Sequence, residues 1–325
     1  MNEDEIIRLM KGINKFPEES ELSFYDDAWA FRTGGQYFTI ATDMLVASTD
    51  VVKGTGLEYV GRKAMVSSIS DLSSKGVRPK YYMISVGLTR EIGMKGVKTL
   101  ARGFSMAIKE YGGYIVGGDT NEADDLSVCV TSFGTSKYPP VRREIGKEGD
   151  IIAVTGTFGD AAAGLKIMSN EARDKAYRRK FLRAFLFPKA RLAEGVALSR
   201  ANVLSGCTDS SDGLALSIYN LIDSSEGRDM GVRLDLLPHS EELERFCLKN
   251  GLDLSELVLH GGEEYELVAV VKRGRWKTAQ GVVEKAGGRL LKIGEVVHDR
   301  GVWWRRGNEL VKVERRGWRH FVNVR

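Results

Sequence analysis

Residues 203–213 read VLSGCTDSSDG. An apolar run ends in a turn that sets Asp209 and Asp212 around two serines and closes on Gly213, and a helix is expected next. A strand that delivers an acidic, glycine-containing turn into a helix is how α/β sheets gather ligands at strand ends. The same order recurs along the chain. YFTIA (37–41) runs into Thr42-Asp43, a short strand from Tyr114 stops at Gly117-Gly118-Asp119, and IIAVTG (151–156) opens a turn before a helix from Asp160. Further strands are predicted at 81–88, 126–134 and 265–271, with short ones over 289–313. Helices are predicted over 3–13, 57–75 (stopped by Gly76), 94–110, 176–186 and 190–200. Strands and helices alternate in both halves, so the class is α/β or α+β.

The polar stretch Lys137–Asp150, with Pro139-Pro140, divides the chain into residues 1–138 and 139–325. A length of 325 residues suits two domains. Hydrophobic residues at 42% and charged residues at 28% allow both a core and a solvated surface. The N-terminal MNEDEIIRLM is acidic where a signal peptide is basic, and no run approaches the roughly 20 apolar residues of a membrane helix. A cytoplasmic protein without membrane contact is the expectation. Cys129, Cys207 and Cys247 are too few and too scattered for a disulfide framework or a zinc site, and read as small buried hydrophobes. The net charge of +4 is concentrated near the end of the chain, at Arg305, Arg306, Lys312, Arg315, Arg316, Arg319 and Arg325. Charge alone makes this a solvated face before it makes a nucleic-acid patch.

The chemistry is carried by the aspartates. Asp27, Asp43, Asp119, Asp209 and Asp212 sit in turns or at strand ends, Asp71 lies within a helix, and Glu263-Glu264 follow Gly261-Gly262. Any one of them is equally explained as a helix cap or turn former. Asp43 is the exception, because Met44-Leu45-Val46 is a poor turn. Gathered in a cleft, such carboxylates repel one another unless cations are present. Magnesium is the natural partner, since it takes carboxylate oxygen and water and is completed by substrate phosphates. The stretch Thr155–Gly164 lacks the GK[ST] of a Walker A loop. It reads either as a phosphate cradle or as a tight strand-to-helix turn. Asp124 and Asp125 read as plain surface.

Taken in order, YDDAWAF, TDMLV, SDLSSKGVRPKY, VGGDTNE, RREIGKEGDIIAVTGTFGDAAAGL, TDSSDGL, HGGEEYEL and GWRHF resemble the thiamine-monophosphate kinase family from about Tyr25 onward. That family sits within the superfamily of aminoimidazole-ribonucleotide synthetase, selenophosphate synthetase and a hydrogenase-maturation protein. The resemblance implies a two-domain PurM-like fold, with N-terminal domains pairing into a dimeric β-barrel and ATP and magnesium bound in the half up to residue 138. It implies transfer of the ATP γ-phosphoryl to thiamine monophosphate with several magnesium ions. By position, Asp27, Thr42, Asp43, Asp71, Asp119, Asp209 and Asp212 match magnesium ligands. Gly118, Asp119, Arg143 and Ser211 match nucleotide contacts, and Glu263 and Trp318 match contacts to the thiamine end. Direct transfer to an already ionised phosphate oxygen needs no protein nucleophile or general base, and none is assigned.

The chain departs from the family pattern at Tyr25 (usually glycine), Ala41 (usually serine) and Asp50, which stands where a histidine meets the substrate phosphate. A carboxylate there opposes an anionic acceptor, and Lys53, Arg62 and Lys63 are the cations near enough to offset it. Two alternatives stay open: a related kinase or synthetase with a different small acceptor, and a nucleic-acid-binding protein that uses the basic end. The second predicts binding that weakens steeply with salt.

Overall fold

One helix holds the two halves of the molecule together. In the computed structural model, which describes residues 3–225 and 229–321, helix α3 packs against β2 and β5 of a first sheet and against β7 and α7 of the second half. The first half contains α1 (Glu3–Lys11), β1 (Trp29–Thr33), β2 (Gln36–Val46), the single turn α2 (Ala47–Asp50), α3 (Leu57–Ser74), β3 (Pro79–Leu88), α4 (Gly93–Tyr111), β4 (Tyr114–Glu122) and β5 (Ser127–Ser136). Its five strands run in the order β1-β2-β5-β3-β4, antiparallel except for the β3–β4 pair. Alternation along β5 (buried Val128, Val130 and Ser132; half-buried Cys129, Thr131 and Phe133) shows why: one face packs on α3 and α4 and the other is left bare. The bare face carries an aromatic row, Phe31, Phe38, Phe133 and Tyr81, beside exposed Met44 and Met83.

The second half contains β6 (Ile151–Val154), α5 (Asp160–Met168), α6 (Arg178–Leu186), α7 (Leu192–Arg200), β7 (Leu204–Ser210), α8 (Leu214–Asp223), β8 (Gly231–Leu234), α9 (Glu241–Asn250), α10 (Leu254–His260), β9 (Glu266–Val271), α11 (Trp276–Lys285), β10 (Leu291–Val297), β11 (Val302–Arg306) and β12 (Glu309–Lys312). Its seven strands run β12-β11-β8-β10-β6-β9-β7. The central strands IIAV and ELVAVV are buried throughout because hydrophobic clusters cover both faces of this sheet. The pairing is mostly antiparallel, which puts the chain on the α+β side of the expected class.

Several strands outrun their predicted ends. β2 pairs with β5 through Val46, β4 continues to Glu122 and β7 reaches Ser210, so Asp43, Asp119 and Asp209 lie within strands and not after them. Sheet pairing overrides the local turn preference of Gly and Asp. β1, β8, α9, α10 and α11 went unread, although α9 has a cap signal: the Leu243 amide donates to Ser240 Oγ at 3.3 Å. The α1 helix ends at Lys11, short of residue 13. The stretch 137–150 forms no helix or strand, yet it is pinned to both halves by Val141 N to Lys75 O and Cys207 N to Arg142 O. Cys207 and Cys247 are buried as expected, whereas Cys129 is only half-buried because it lies on the bare face. Among the described residues no helix is long and apolar enough to cross a membrane.

Candidate active site

Helix α3 is mostly buried, yet it carries Lys63, Ser67, Ser70, Asp71 and Ser74, and Lys75 caps its C-terminal end. Three- and four-residue steps put these polar side chains on one stripe, and the stripe meets acidic residues from both halves. On β2, Asp43 shares the face of buried Ala41 and Leu45, so its carboxylate points toward α3. Burial raises its pKa, against hydrogen bonds from Ser67 and the Met44 amide. From β7, Asp209 accepts from Ser70 Oγ at 2.5 Å. Burial first, then the charge of Asp27, pushes Asp209 up to about 7. Asp71 is raised well above the usual carboxylate range by burial and by Asp209, Asp43 and Asp27. Asp212 in the following turn is pushed up to about 7 by burial and by Glu3. These four carboxylates lack enough positive charge of their own, which is the electrostatic demand a divalent cation would meet.

Asp26 and Asp27 are the contrast. Lys75 Nζ lies 2.5 Å from Asp26 and 2.8 Å from Asp27, and Arg143 reaches Asp27 at 3.0 Å. The Asp27 pKa is lowered, because Lys75 and Arg143 outweigh a large burial penalty. Arg143 also donates to Ser224 and lines a cleft with Tyr25, Asn220, Asp212 and Arg315.

A cavity of about 350 Å³ opens over the acidic group, lined by Asp43, Asp50, Lys63, Asp212, Glu263 and Trp318 among others. Its far wall is the turn before β9. Glu263 and Tyr265 both have left-handed backbones, φ 71° and 54°. Each costs on the order of 1–3 kcal/mol and persists only when held by its surroundings. The holding bonds run from Glu263 N to Ser211 O (2.6 Å) and from Tyr265 N to Ser210 O (2.8 Å). The C-terminal segment folds back so that Trp318 N donates to Asp212 O at 2.9 Å, which leaves the indole 47% exposed at the cavity mouth. Lys63 bonds Glu263 at 2.5 Å and the Asp50 carbonyl at 3.2 Å. It is the one lysine or arginine among the described lining residues. The Asp50 carboxylate itself accepts from Val46 N at 2.7 Å, closing the end of β2.

Other expected residues lie apart. Thr42 points to the bare face, where its hydroxyl bonds Thr131 at 3.0 Å. Register sets Gly118 level with Asp43 but three strands away, roughly 14 Å at normal strand spacing. Asp119 follows it on the exposed edge strand β4. Arg62 does not face the cavity; it is buried against Glu110, Pro188 and the Phe187 ring. Lys53 does not line the cavity either. The 155–164 stretch is a packing turn, because Glu264 Oε1 already accepts from Gly159 N and Ala161 N at 2.7 and 2.9 Å. Arg142 is spent on the Glu21 carbonyl. At the basic end, Arg305, Arg315 and Arg316 pair with Asp235, Asp223 and Glu256, while Arg325 lies outside the described residues. Sequence reasoning missed Ser67, Ser70, Lys75 and Tyr265. The polar stripe on α3 was the available signal, hidden by attention to that helix's apolar spacing.

Among the described residues no three acidic, histidine or cysteine side chains form a ready-made metal cage. The donor set still suits magnesium, which keeps several waters and uses one or two carboxylates together with substrate phosphates.

Residues 25–136 match the family model for the N-terminal domain of AIR synthase related protein. Over 99% of both chains, the sequence is 32% identical to a thiamine-monophosphate kinase of Nitrosopumilus maritimus. It is 30% identical to the Pyrococcus abyssi thiamine-monophosphate kinase over 99% of this chain and 96% of that one. The solved structure of AaThiL complexed with AMPPCP and TMP superposes with a TM-score of 0.83 at 27% identity, covering 98% of this chain and 97% of that one.

Proposed function

The chain belongs to the thiamine-monophosphate kinase family, and from that premise we propose that it transfers the γ-phosphoryl of ATP to thiamine monophosphate, giving thiamine diphosphate. The carrying observation is that a single cavity joins uncompensated carboxylates, Asp43 and Asp212, to one ammonium, Lys63, and one half-exposed indole, Trp318. A substrate with an anionic phosphate and a cationic ring has a partner for each end in that arrangement. Trp318 faces the ring, since indole faces attract cations, and Glu263 borders the same space as the partner of Lys63. Lys63 faces the phosphate, offsetting Asp50. Arg143 borders the adjoining cleft, where we place the nucleotide, and Ser211 lines the main cavity beside Asp212, which borders both.

Magnesium held by Asp43, Asp71, Asp209 and Asp212 would supply charge neutralisation for the two phosphate groups. The protein's own part is to align the reactants and keep water out. Asp43 and Asp71 are fixed by β2 and α3, Asp212 by the turn after β7, and Trp318 by its bond to Asp212. No side chain is asked to carry a proton, since the attacking phosphate oxygen is ionised near neutral pH.

We place the division of labour at residues 138/139. The first half supplies Asp43 and Asp71, and the second supplies Asp209, Asp212, Glu263 and Trp318. The bare face of the first sheet, with Met44, Met83 and Tyr114 exposed by 57%, 53% and 70%, fits a homodimer interface. Pairing there would also give the exposed Thr42, Gly118 and Asp119 a setting that one chain does not provide. The absence of a membrane-length helix among the described residues is consistent with a cytoplasmic enzyme.

The test is direct: protein, ATP, magnesium and thiamine monophosphate, with products separated by chromatography. Thiamine diphosphate formed in step with ADP is expected, from material that sediments as a dimer. ADP without thiamine diphosphate would move the acceptor elsewhere, and a fully active monomer would refute the pairing.

A further inference from the structure

The aspartates that meet at α3 divide into two sets, and Lys75 draws the line between them. Its ammonium is fully buried and has three donors. Each finds an acceptor: Asp26 Oδ1 at 2.5 Å, Asp27 Oδ2 at 2.8 Å and the Cys207 carbonyl at 3.1 Å. The Asp27 carboxylate is equally committed. Oδ1 accepts from Arg143 at 3.0 Å and Thr208 Oγ1 at 3.1 Å, and Oδ2 accepts from Ser74 Oγ at 3.0 Å and Thr208 Oγ1 at 3.0 Å, besides Lys75. Asp26 is closed in the same way by its contacts with Lys75, the Asp27 amide and the Arg143 amide at 2.8 Å. Two carboxylates thus face two cations in a buried cluster with every oxygen engaged. A magnesium ion demands near-ideal octahedral oxygen geometry. Reaching Asp27 would bring a divalent cation against the buried Lys75 ammonium and the Arg143 guanidinium and break their bonds to Asp27, leaving Lys75 with Asp26 alone, which is unfavourable in a buried cluster.

Lys75 also stands one helical turn after Asp71, and its own amide donates to the Asp71 carbonyl at 3.3 Å. The ammonium is therefore delivered beside the uncompensated group by the same helix that carries it.

We infer that Lys75 is a tethered cation in the place of a metal ion: it and Arg143 neutralise Asp26 and Asp27, Asp27 is withheld from magnesium, and divalent ions are bound by Asp43, Asp71, Asp209 and Asp212. The inference rests on the proposed magnesium site but not on the identity of the acceptor.

The test counts metal instead of turnover. Manganese bound per chain is measured by equilibrium dialysis with AMPPCP, with electron paramagnetic resonance of the free ion as a check. Asp27→Asn keeps shape and should bind the same number of manganese ions as wild type; loss of one ion per chain overturns the inference. Lys75→Met removes the ammonium and frees both carboxylates. It should bind one additional ion per chain, and manganese should raise its melting temperature more than that of wild type. An unchanged count in a folded Lys75→Met protein also overturns it. Should Lys75→Met fail to fold even with manganese, the Asp27→Asn count decides alone. Failure to form thiamine diphosphate would sink the functional proposal and leave these counts standing.

Discussion

Two turns leave the strands that flank β9 in the same sheet. After β6, residues 155–159 enter α5; after β7, whose last residues Asp209 and Ser210 lead into it, the turn 211–213 enters α8. Both are strand, small polar turn, then helix, and their sequences look alike in kind. In the first, the buried amides and the hydroxyl and carboxylate at its ends have protein partners: Gly159 N and Ala161 N bond Glu264, Thr155 Oγ1 bonds Glu266 at 2.6 Å, and Asp160 meets Ser240 and Lys180, although burial also raises Glu264 well above the usual carboxylate range. In the second, Asp209 and Asp212 are buried with too little positive charge, and the Ser210 hydroxyl has no hydrogen-bond partner among the described residues. One segment serves both. Glu264 and Glu266 turn to the α5 side, while Glu263 and Tyr265 bond the acidic turn through their amides. A buried polar turn that is fully answered is architecture, and one left short of partners is where a ligand is expected to complete the chemistry.

Asp212→Asn separates the two roles most sharply. The substitution removes a charge that burial already disfavours, so the melting temperature without divalent ions should not fall. Turnover should drop by more than the roughly 10–100-fold that losing an outer-shell partner of a metal costs. Steady-state kinetics beside thermal melts would read both quantities. A large loss of stability with turnover intact would make the β7 turn structural, like its neighbour.

Glu264→Ala is the mirror experiment, and a smaller effect is expected. Two buried amides lose their acceptor, which costs about 1–3 kcal/mol each when nothing replaces it. Glu264→Gln keeps a carbonyl oxygen in reach and should recover most of that loss. Denaturant unfolding measures the change, and the turnover of the folded fraction should stay near wild type. A turnover collapse in Glu264→Gln with stability preserved would mean that the first turn also touches substrate.

How far the sequence could be read follows from the same contrast. The class, the strand–turn–helix order and most helices of the first half were legible, because apolar spacing and glycine stops are local signals. Asp43 stood out because Met44-Leu45-Val46 is a poor turn, and the structure explains this by running β2 on to Val46. What local reading could not distinguish was the answered turn from the open one. The deciding acceptor, Glu264, lies more than a hundred residues from Gly159, and only the β6–β9 pairing brings it near. The same holds for Lys75, whose partners Asp26 and Asp27 arrive from before β1. Arg62 and Lys63 are adjacent in sequence, but helical geometry sends one into a buried clamp and the other into the cavity. Charge was visible in the sequence, whereas direction came from packing.

The open turn is partly roofed by the chain's own end, and this gives the finest test of the comparison. Gly317 lies so close that a Cβ there would come within 2.3 Å of the Asp212 carbonyl oxygen, and Trp318 N bonds that same oxygen. The backbone thus fixes the indole beside the acidic turn while its ring stays free to meet a ligand. Trp318→Ala keeps the backbone bond and deletes only the ring. A cation over an indole is worth about 0.5–2 kcal/mol, so the KM for thiamine monophosphate should rise by roughly 2- to 30-fold, with the KM for ATP little changed. Initial rates with each substrate varied in turn measure the split. Equal rises in both constants would show that Trp318 acts by steadying Asp212 and not by touching the acceptor, and the roof would then belong to the architecture of the turn.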